Sequence, residues 1–326
     1  MKILVIGGGI AGATAARLLA SHYDVTLIQD KVWEKPCGGG VKTKIFDQFG
    51  LDKSQILHSL DKVYMIYKNS KIEIPLFGKN LSIVNRKLFD SHLRDLAQKN
   101  GAKIYYGRFK EFKNKKALIK IANENVLFDY DILIAADGVN SSVRKALNLP
   151  SIPKTITHYA KTTDYSVSTC EFFFDREIGG KYYAWAFPQK THTHIGSVSK
   201  ENFSKLCEYL NVTLKPKGYF IPTWEENVIM RKENIYFVGD SAAQVMPLSF
   251  EGIYYAMHSA KILAQSIIKN EDYVKNWQKR FLKEFKFMKT LEKINQTPFR
   301  GFIVNLHRFE FMKKLSVKLW LGAKNV

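Results

Sequence analysis

The sequence predicts an α/β protein in which an antiparallel β-sheet interrupts a mostly parallel domain and helices complete the C-terminal end. Predominantly apolar runs such as Lys2 to Ile6 and Tyr130 to Ala135 are typical of strands buried on both faces of a parallel sheet. From Thr155 to Pro222 apolar and polar residues alternate, and aromatic and β-branched types dominate, as in an antiparallel sheet. From Glu271 to Val326 the apolar residues return to helical spacing.

The individual elements follow from local spacing and turn signals. Alanines and leucines recur at helical intervals from Ile10 to Ser21, and a short β-rich run follows at Val25 to Ile28. Asn85 to Asn100 predicts an amphipathic helix that Gly101 ends, and Lys103 to Phe128 predicts short antiparallel strands. The remaining predicted elements are the strands Cys170 to Phe174, Lys181 to Pro188, His192 to Ser199 and Asn234 to Asp240, and the long helix Ile253 to Lys269.

Composition and charge narrow the class of protein. The chain has 326 residues, and its 50 Lys plus Arg against 30 Asp plus Glu give a net charge of +20, which predicts an anionic partner. A nucleic acid, a lipid surface and a phosphorylated small molecule all satisfy that charge.

Three distant cysteines predict neither disulfides nor structural zinc, and the histidines form no metal-like cluster, so we predict no metal site. With neither a signal-peptide pattern nor a transmembrane run, the expected location is cytoplasmic.

A glycine-rich turn between the first strand and helix predicts a dinucleotide site. Gly7 permits the tight turn, Gly9 lets a pyrophosphate approach the backbone, and Gly12 lets the helix pack on the strand. Asp30 follows at the end of the second strand, where a ribose hydroxyl binds in such sites. The predicted contacts of this element are Gly7, Gly9, Ile10, Ala11, Gly12, Asp30 and the neighbouring Lys31.

Two further segments narrow the dinucleotide to FAD. Residues 131–144, DILIAADGVNSSVR, resemble the strand-then-DG element of the flavoprotein hydroxylase-like superfamily. Residues 235–243, IYFVGDSAA, resemble its GD element, in which the aspartate holds the ribityl chain of FAD. The three motifs in this order are far more specific than any one of them. The resemblance implies cofactor contacts through Asp137, Gly138, Gly239 and Asp240, and through Arg86, which matches the arginine at the start of the helix flanking the cofactor.

Two short segments resemble the geranylgeranyl reductase family. Residues 35–40, KPCGGG, look like its cysteine-and-glycine loop, and residues 183–188, YAWAFP, match its Y-x-W-x-F-P signature. The resemblance covers residues 1 to about 270. It departs at Gly180, where the family usually has proline, and at Gly196-Ser197-Val198, which replaces a G-x-G.

This resemblance implies a Rossmann-like FAD-binding domain of the glutathione reductase type 2, p-hydroxybenzoate hydroxylase-like kind, with an inserted antiparallel substrate domain. The predicted FAD-binding domain comprises residues 1–61, 77–153 and 231–270, and the substrate domain residues 62–76 and 154–230. Residues 271–326 are predicted to form basic amphipathic helices. The implied function is an FAD-dependent oxidoreductase that saturates C=C bonds in prenyl chains of isoprenoid lipids or prenyl diphosphates by hydride transfer from flavin N5. The electron donor is left open among NAD(P)H, ferredoxin and another reductant.

Several residues are candidates for contact with the substrate or the flavin ring. One predicted strand carries an aromatic ring at every second position, Tyr183, Trp185 and Phe187, so the rings share a face that suits a long apolar substrate chain. Pro188 completes the signature and is a further candidate for substrate contact. The alternative is that the rings form an ordinary sheet core. The resemblance implies that Cys37, in the loop that with Gly38 and Gly39 contacts the cofactor, is the proton donor or a group that stabilises a developing cation. A buried inert thiol is the alternative. Gly252 and Ile253 begin the helix whose N-terminus faces the flavin pyrimidine in this fold class.

The C-terminal segment carries much of the charge. Residues 271–326 contain 13 Lys plus Arg and five Asp plus Glu, a net +8, which leaves +12 for the rest. Two apolar stripes predict two amphipathic helices that pack against the body of the protein, with a peripheral membrane surface as the alternative. The stripes are Trp277, Phe281, Phe285, Met288 and Leu291, then Phe302, Leu306, Phe309, Met312, Leu315 and Leu319.

Two other functions remain as alternatives. A flavin-dependent monooxygenase or halogenase acting on an aromatic or terpenoid substrate would use the same fold. An FAD-containing RNA-binding protein would account for the charge, but the basic residues are not interleaved with a recognisable RNA-binding module.

Overall fold

The structure is a computed structural model that describes residues 1–31 and 34–322, so the last four residues of the predicted tail lie outside it. The chain forms two compact units, each assembled from three stretches. The first consists of Met1–Glu34, Lys87–Lys154 and Ile221–Lys289, and the second of Lys35–Arg86, Thr155–Phe220 and the stretch from Thr290.

The regular elements are numbered along the chain. The strands are β1 (Lys2–Ile6), β2 (Asp24–Gln29), β3 (Gly40–Lys42), β4 (Ile56–Leu60), β5 (Lys62–Tyr67), β6 (Ser70–Pro75), β7 (Leu81–Val84), β8 (Lys103–Tyr106), β9 (Arg108–Lys113), β10 (Lys116–Ile121), β11 (Glu124–Phe128), β12 (Ile132–Ala135), β13 (Lys154–Thr162), β14 (Glu171–Phe173), β15 (Ala184–Pro188), β16 (Thr193–Ser197), β17 (Lys217–Pro222), β18 (Arg231–Lys232) and β19 (Ile235–Phe237). The α-helices are α1 (Ile10–Leu19), α2 (Ile45–Gln48), α3 (Arg86–Lys99), α4 (Ser142–Ala146), α5 (Arg176–Gly179), α6 (Lys200–Leu210), α7 (Ile253–Ile268), α8 (Tyr273–Trp277), α9 (Lys283–Asn295), α10 (Arg300–Leu306) and α11 (Glu310–Leu321).

A six-stranded sheet in the order β18, β19, β12, β1, β2, β8 forms the centre of the first unit. All pairings are parallel except that of the edge strand β18. Strands β1 and β12 bury almost every side chain, which explains why their sequences are continuously apolar rather than alternating. Helices α1 and α7 of this unit pack against each other. The predicted α/β fold class is confirmed.

One strand of the first unit differs from its prediction. Residues Lys103 to Phe128 were expected to form antiparallel strands, and this is correct for β9, β10 and β11, which form their own antiparallel sheet. It is wrong for β8, which pairs in parallel with β2. Strand β8 follows helix α3, and a strand that the chain reaches through a crossover helix pairs in parallel with its neighbour in the same sheet. An ion pair of 2.7 Å between Lys103 and Asp24 joins β8 to β2.

The second unit contains a seven-stranded sheet in the order β17, β13, β16, β15, β14, β5, β6, and a smaller sheet of β3, β7 and β4. In the large sheet β13 with β16, β16 with β15, β15 with β14, and β5 with β6 pair antiparallel, whereas β14 and β5 pair in parallel. One core cluster contains Phe173, Ala184, Ala186 and Ile195 together with apolar residues of α6. A second cluster contains Phe172 and Phe187 and includes Val304, Val317 and Leu321 from α10 and α11. The two clusters separate because neighbouring residues of a strand point to opposite faces.

The first predicted stripe of the C-terminal segment packs as expected. Trp277, Phe281, Phe285 and Met288 are buried, and the rings of Trp277 and Phe285 lie 5.2 Å apart. A π-helical turn, Gln278–Leu282, connects α8 to α9 within this stripe. No helix in the described part of the chain has both the length and the apolar character needed to cross a membrane.

The second predicted stripe does not pack as expected. Phe302, Phe309, Leu315 and Leu319 are between 38% and 65% exposed. The prediction of packing is wrong for them because the segment is not one continuous helix. Helix α10 ends at Leu306 and α11 begins at Glu310, so the spacing restarts between them. The residues that enter the core are instead Val304, Val317 and Leu321.

Candidate functional site

The loop between β1 and α1 brings three glycines to the start of a helix. Gly7 has a φ of +102°, and a Cβ there would overlap the carbonyl oxygen of Ala136. A Cβ on Gly12 would overlap the carbonyl oxygen of Gly7. At Gly9, in contrast, no atom of the described residues other than the adjacent Gly8 and Ile10 lies within 4 Å of a Cβ position. Packing within the protein therefore requires Gly7 and Gly12, whereas Gly9 borders open space beside the unpaired N–H groups at the N-terminus of α1.

Two buried side chains hold the middle peptide of this loop. The backbone N–H of Gly8 donates to Oε1 of Gln29 at 2.7 Å, and Nη1 of Arg94 donates to the Gly8 carbonyl at 3.0 Å. Arg94 is only 5% exposed on α3. Neither residue is part of the glycine motif, so the motif does not predict them. They fix the orientation of a peptide that glycine alone leaves free.

Asp30 lies directly after β2 and forms an ion pair with Arg108 of β9. Nη2 of Arg108 lies 2.9 Å from Oδ2 of Asp30, and Nε donates to the same oxygen at 3.2 Å. A ribose hydroxyl at this position would therefore share the carboxylate with a guanidinium. The neighbouring Lys31 uses its carbonyl to accept a hydrogen bond of 2.5 Å from Nε2 of Gln29.

The DG element follows β12, which is paired with β1. Oδ2 of Asp137 accepts hydrogen bonds from the Ser142 hydroxyl at 2.9 Å and from the Val143 backbone N–H at 3.0 Å. Its other oxygen, Oδ1, is buried and has no hydrogen-bond partner among the described residues. Burial raises the pKa of Asp137, and the hydrogen bonds from its neighbours only partly oppose that shift. Gly138, with a φ of +85°, again borders open space in the described structure.

The raised pKa of Asp137 predicts a pH-dependent effect of Asp137→Asn on the protein without its cofactor. Because the pKa of Asp137 is higher in the folded than in the unfolded protein, ionisation of this carboxyl destabilises the folded state. The destabilisation is absent at a pH below the unfolded-state pKa and complete at a pH above the folded-state pKa. Asparagine keeps an acceptor for Val143 and carries no charge. We expect the melting temperature of the variant, relative to wild type, to be higher at about pH 7 than at about pH 4. Thermal unfolding at the two pH values measures it, and an equal difference at both would contradict the prediction.

The GD element and the start of α7 adjoin the glycine loop within the first unit. Gly239, with a φ of +69°, has its Cβ position 2.8 Å from Cβ of Ala11. Asp240 lies in a short 3₁₀ helix, Gly239–Ala242, and its Oδ1 is 4.0 Å from the Cβ position of Gly252. Gly252 is the N-cap of α7 and Ile253 its first residue, so the N-cap residue itself brings no side chain to the start of the helix. The N-terminal N–H groups of α7 thus lie beside the GD aspartate.

Arg144 joins the DG and GD elements. It is 4% exposed and donates to the carbonyls of Pro150 at 3.2 Å, Ile229 at 2.8 Å and Ser241 at 3.3 Å. Burial lowers its pKa, and the charge of Asp137 opposes that shift. Arg144 is the last residue of the segment that resembles the DG element, and that position is the sequence feature that points to it. Its role here is to position backbone at both elements.

The remaining predicted cofactor residues, Cys37, Gly38, Gly39 and Arg86, belong to the second unit. Arg86 is buried at the first position of α3. Gly39 has a φ of +77°, and its backbone N–H lies 3.3 Å from Sγ of Cys37. Cys37 is half-buried, unlike Cys170 and Cys207, whose burial raises their thiol pKa.

The Cys37 loop packs against the strand that carries the predicted aromatic face. A Cβ on Gly38 would overlap the ring of Phe187, and one on Gly40 would lie 3.1 Å from it. Nε2 of Gln189 donates to the Gly38 carbonyl at 3.0 Å. Close contact of backbone with an aromatic ring is what the glycines provide here. The structure therefore brings the predicted proton donor and the predicted substrate strand together.

The rings of this face form one continuous group. Tyr183 lies 6.4 Å from Trp185, and Phe172 of β14 lies 5.4 Å from both Tyr183 and Phe187. Trp320 of α11 lies 5.9 Å from Phe172. All three predicted rings are half-buried, and Pro188 is buried at the end of β15. The motif does not predict Phe172 or Trp320, because they come from another strand and from the C-terminal helix.

The residues of the first unit fit a flavin dinucleotide. The space bordering Gly9 and Gly138 admits close approach of a pyrophosphate to the backbone, and the N-terminus of α1 supplies N–H groups to it. The orphaned Oδ1 of Asp137 is a further polar group available to such a ligand, and α7 begins at Gly252, whose missing side chain leaves its backbone open to close approach.

Comparison with known proteins gives matches along the whole chain. A family model described as pyridine nucleotide-disulphide oxidoreductase matches residues 1–171, more than half of the chain. The chloroplastic geranylgeranyl diphosphate reductase of Nicotiana tabacum is 26% identical, over 99% of this chain and 81% of that protein. The digeranylgeranylglycerophospholipid reductase of Methanococcus aeolicus is also 26% identical, over 90% of this chain and 87% of that protein.

Solved structures share the fold. A geranylgeranyl bacteriochlorophyll reductase-like protein from Thermoplasma acidophilum has a TM-score of 0.85 at 20% identity, covering 99% of this chain and 95% of its own. A flavin-dependent brominase has a TM-score of 0.77 at 15% identity, covering 100% of this chain and 94% of its own. The fold predicted from the three motifs is confirmed, and at these identities the likeness concerns the fold alone.

Proposed function

Since the chain belongs to the pyridine nucleotide-disulphide oxidoreductase family, we propose that it is an FAD-dependent reductase that saturates C=C bonds in prenyl chains of isoprenoid lipids or their precursors. The predicted oxidoreductase class and the kinship with geranylgeranyl reductases are confirmed, and the cofactor is a flavin. That the flavin is FAD, and that the substrate is a prenyl chain, are the proposal.

One observation carries the proposal for the substrate: the Cys37 loop lies against Phe187 at the end of a face of aromatic rings. Such a face gives a long apolar chain a large contact area and few polar groups to desolvate. A carboxylate or a hydroxyl-rich lining would instead favour a polar substrate. The adjoining Cys37 thiol can supply a proton where the chain binds.

The proposed reaction divides its two hydrogens between cofactor and protein. A reduced flavin, held by the glycine loop and the DG and GD elements of the first unit, would supply a hydride to one carbon of the double bond. The thiol of Cys37 supplies a proton to the other carbon, and the resulting thiolate accepts the hydrogen bond from the Gly39 backbone N–H until solvent reprotonates it. Tyr183, Trp185 and Phe187 orient the chain and exclude water, whereas Pro188, buried on the face of Ala184 and Ala186, supports the strand from its other side. The roles of these residues are part of the proposal, as is the contact of Gly252, at the start of α7, with the flavin ring.

The test is reduction of defined substrates by the purified, flavin-loaded protein. Under anaerobic conditions with dithionite, geranylgeranyl diphosphate or a digeranylgeranyl glycerophospholipid is expected to gain two hydrogen atoms for each bond reduced, as seen by mass spectrometry. The better substrate identifies the head group. Replacing dithionite with NAD(P)H or with reduced ferredoxin identifies the electron donor.

The same assay separates the reductase from the monooxygenase or halogenase alternative. Incorporation of oxygen or halogen in the presence of oxygen, with no hydrogen gain in its absence, would overturn the proposal. Cytoplasmic location with peripheral membrane contact through residues 271–326 is a further part of it, supported by the net +8 of that segment.

A further inference from the structure

Six large apolar side chains are exposed within the short stretch that contains α10 and α11. Phe299, Phe302, Phe309 and Phe311 are between 58% and 67% exposed, and Leu315 and Leu319 are 45% and 38% exposed. We call these six residues the α10–α11 surface. They include four of the seven phenylalanines that are exposed in the described part of the chain. Single exposed apolar residues are ordinary, but a group of this size marks a contact surface.

On α11 the exposed residues occupy one face. Phe311, Leu315 and Leu319 follow each other at intervals of four, so they align along the helix. The other face carries Val317 and Leu321, which enter the core of the second unit. Because that core already anchors the helix, the exposed row is not needed for its packing. The rings of Phe309 and Phe311 stack at 6.2 Å and connect this row to the residues before it.

Positive charge borders the apolar row. Lys314 and Lys318 are exposed one position before Leu315 and Leu319, and Arg308 is exposed next to Phe309. The stretch 299–319 contains five basic residues and one acidic residue, a net +4. The acidic residue, Glu310, already pairs with Lys313 at 2.7 Å. Lys314 also lies 5.8 Å from the ring of Phe77, another exposed aromatic of the second unit.

We infer that the α10–α11 surface binds an anionic lipid surface, with its phenylalanines and leucines inserted at the headgroup boundary and its lysines against the lipid phosphates. Aromatic rings bordered by lysine suit the interface of a bilayer, where one side is apolar and the other is charged. A second copy of this chain would bring the same positive charge, so charge complementarity favours the lipid. The buried stripe Trp277, Phe281, Phe285 and Met288 takes no part. This inference rests on the proposed function and narrows its membrane contact to the α10–α11 surface.

Vesicle binding by the full-length flavin-loaded protein tests the inference without turnover. Wild type is expected to co-sediment with vesicles of phosphatidylcholine and phosphatidylglycerol in equal parts, and much less with phosphatidylcholine alone. The double variant Phe302→Ser, Phe311→Ser is expected to bind the mixed vesicles about tenfold more weakly or worse. The double variant Lys314→Gln, Lys318→Gln is expected to lose about 30-fold on the anionic vesicles only.

The matched control is Phe220→Ser. Phe220 is also exposed and lies on β17, at the opposite edge of the seven-stranded sheet from β6. Its variant is expected to bind vesicles as wild type does, and circular dichroism and flavin content confirm that each variant is folded.

Three results would overturn the inference. The first is undiminished vesicle binding by the Phe302, Phe311 double variant, and the second is an equal loss of binding in the Phe220→Ser control. The third is that the wild type sediments as a dimer whereas the Phe302, Phe311 double variant sediments as a monomer. Failure of the reductase assay with intact vesicle binding would refute the proposed function alone.

Discussion

Gly9→Ala is expected to fold as wild type does and to lose most of its affinity for FAD. The φ of Gly9 is −75° with an extended ψ, which alanine adopts without strain, and no described atom beyond the adjacent residues lies within 4 Å of the new Cβ. The unfolding free energy should change by less than about 1 kcal/mol, the usual effect of alanine at an N-cap. If the pyrophosphate approaches this backbone, the methyl group lies in its path, and FAD affinity should fall about 100-fold or more. Fluorescence titration of the apoprotein with FAD measures the affinity.

Gly12→Ala is the comparison that separates binding from folding. Alanine inside a helix normally stabilises it by about 0.5–1 kcal/mol, but here its Cβ would overlap the carbonyl of Gly7. We expect a net destabilisation of about 1–3 kcal/mol in thermal or denaturant unfolding, together with loss of FAD. Wild-type FAD affinity in Gly9→Ala would show that the cofactor does not approach the glycine loop as proposed.

Cys37→Ala is expected to lower kcat for prenyl reduction about 100-fold or more, the range of a removed general acid. The rate of flavin reduction by dithionite should be unchanged, because that step needs no proton from the thiol. Cys37→Ser should recover part of the loss, since a hydroxyl can still donate. Rapid-mixing measurements follow flavin reduction and substrate-dependent flavin reoxidation separately.

Cys207→Ala provides the matched control for Cys37. Cys207 belongs to the core cluster on the other face of the sheet, and burial raises the pKa of its thiol. Its variant should keep the wild-type kcat even if its melting temperature falls. Activity of Cys37→Ala equal to that of Cys207→Ala would leave Cys37 as a structural thiol and exclude it as the proton donor.

The sequence predicted those parts of the fold and site that depend on local pattern. Gly7 and Gly12 stand where only glycine fits, so the motif located the loop correctly. The alternation of Tyr183, Trp185 and Phe187 placed their rings on one face because a strand has a period of two. Both inferences need only neighbouring residues along the chain.

Features that depend on distant parts of the chain were not predictable in this way. Arg94 looks like an ordinary polar helix residue, and only the fold shows that it is buried against the carbonyl of Gly8. Phe302 and Leu315 have the spacing of a buried stripe, yet a break between α10 and α11 leaves them exposed. Spacing identifies which residues share a face, but not which side of that face the core occupies.

Helices α10 and α11 contribute to the second cluster of the second unit, and this has a consequence for synthesis on the ribosome. Val304, Val317 and Leu321 pack with Ile72 and Ile74, residues made more than two hundred positions earlier. The apolar side of the early strands β5 and β6 therefore stays incompletely covered until the end of the chain emerges. Contacts so distant in sequence form late and slowly, and the exposed strands are prone to aggregation in the meantime. A chain shortened before α11 would keep that vulnerability permanently.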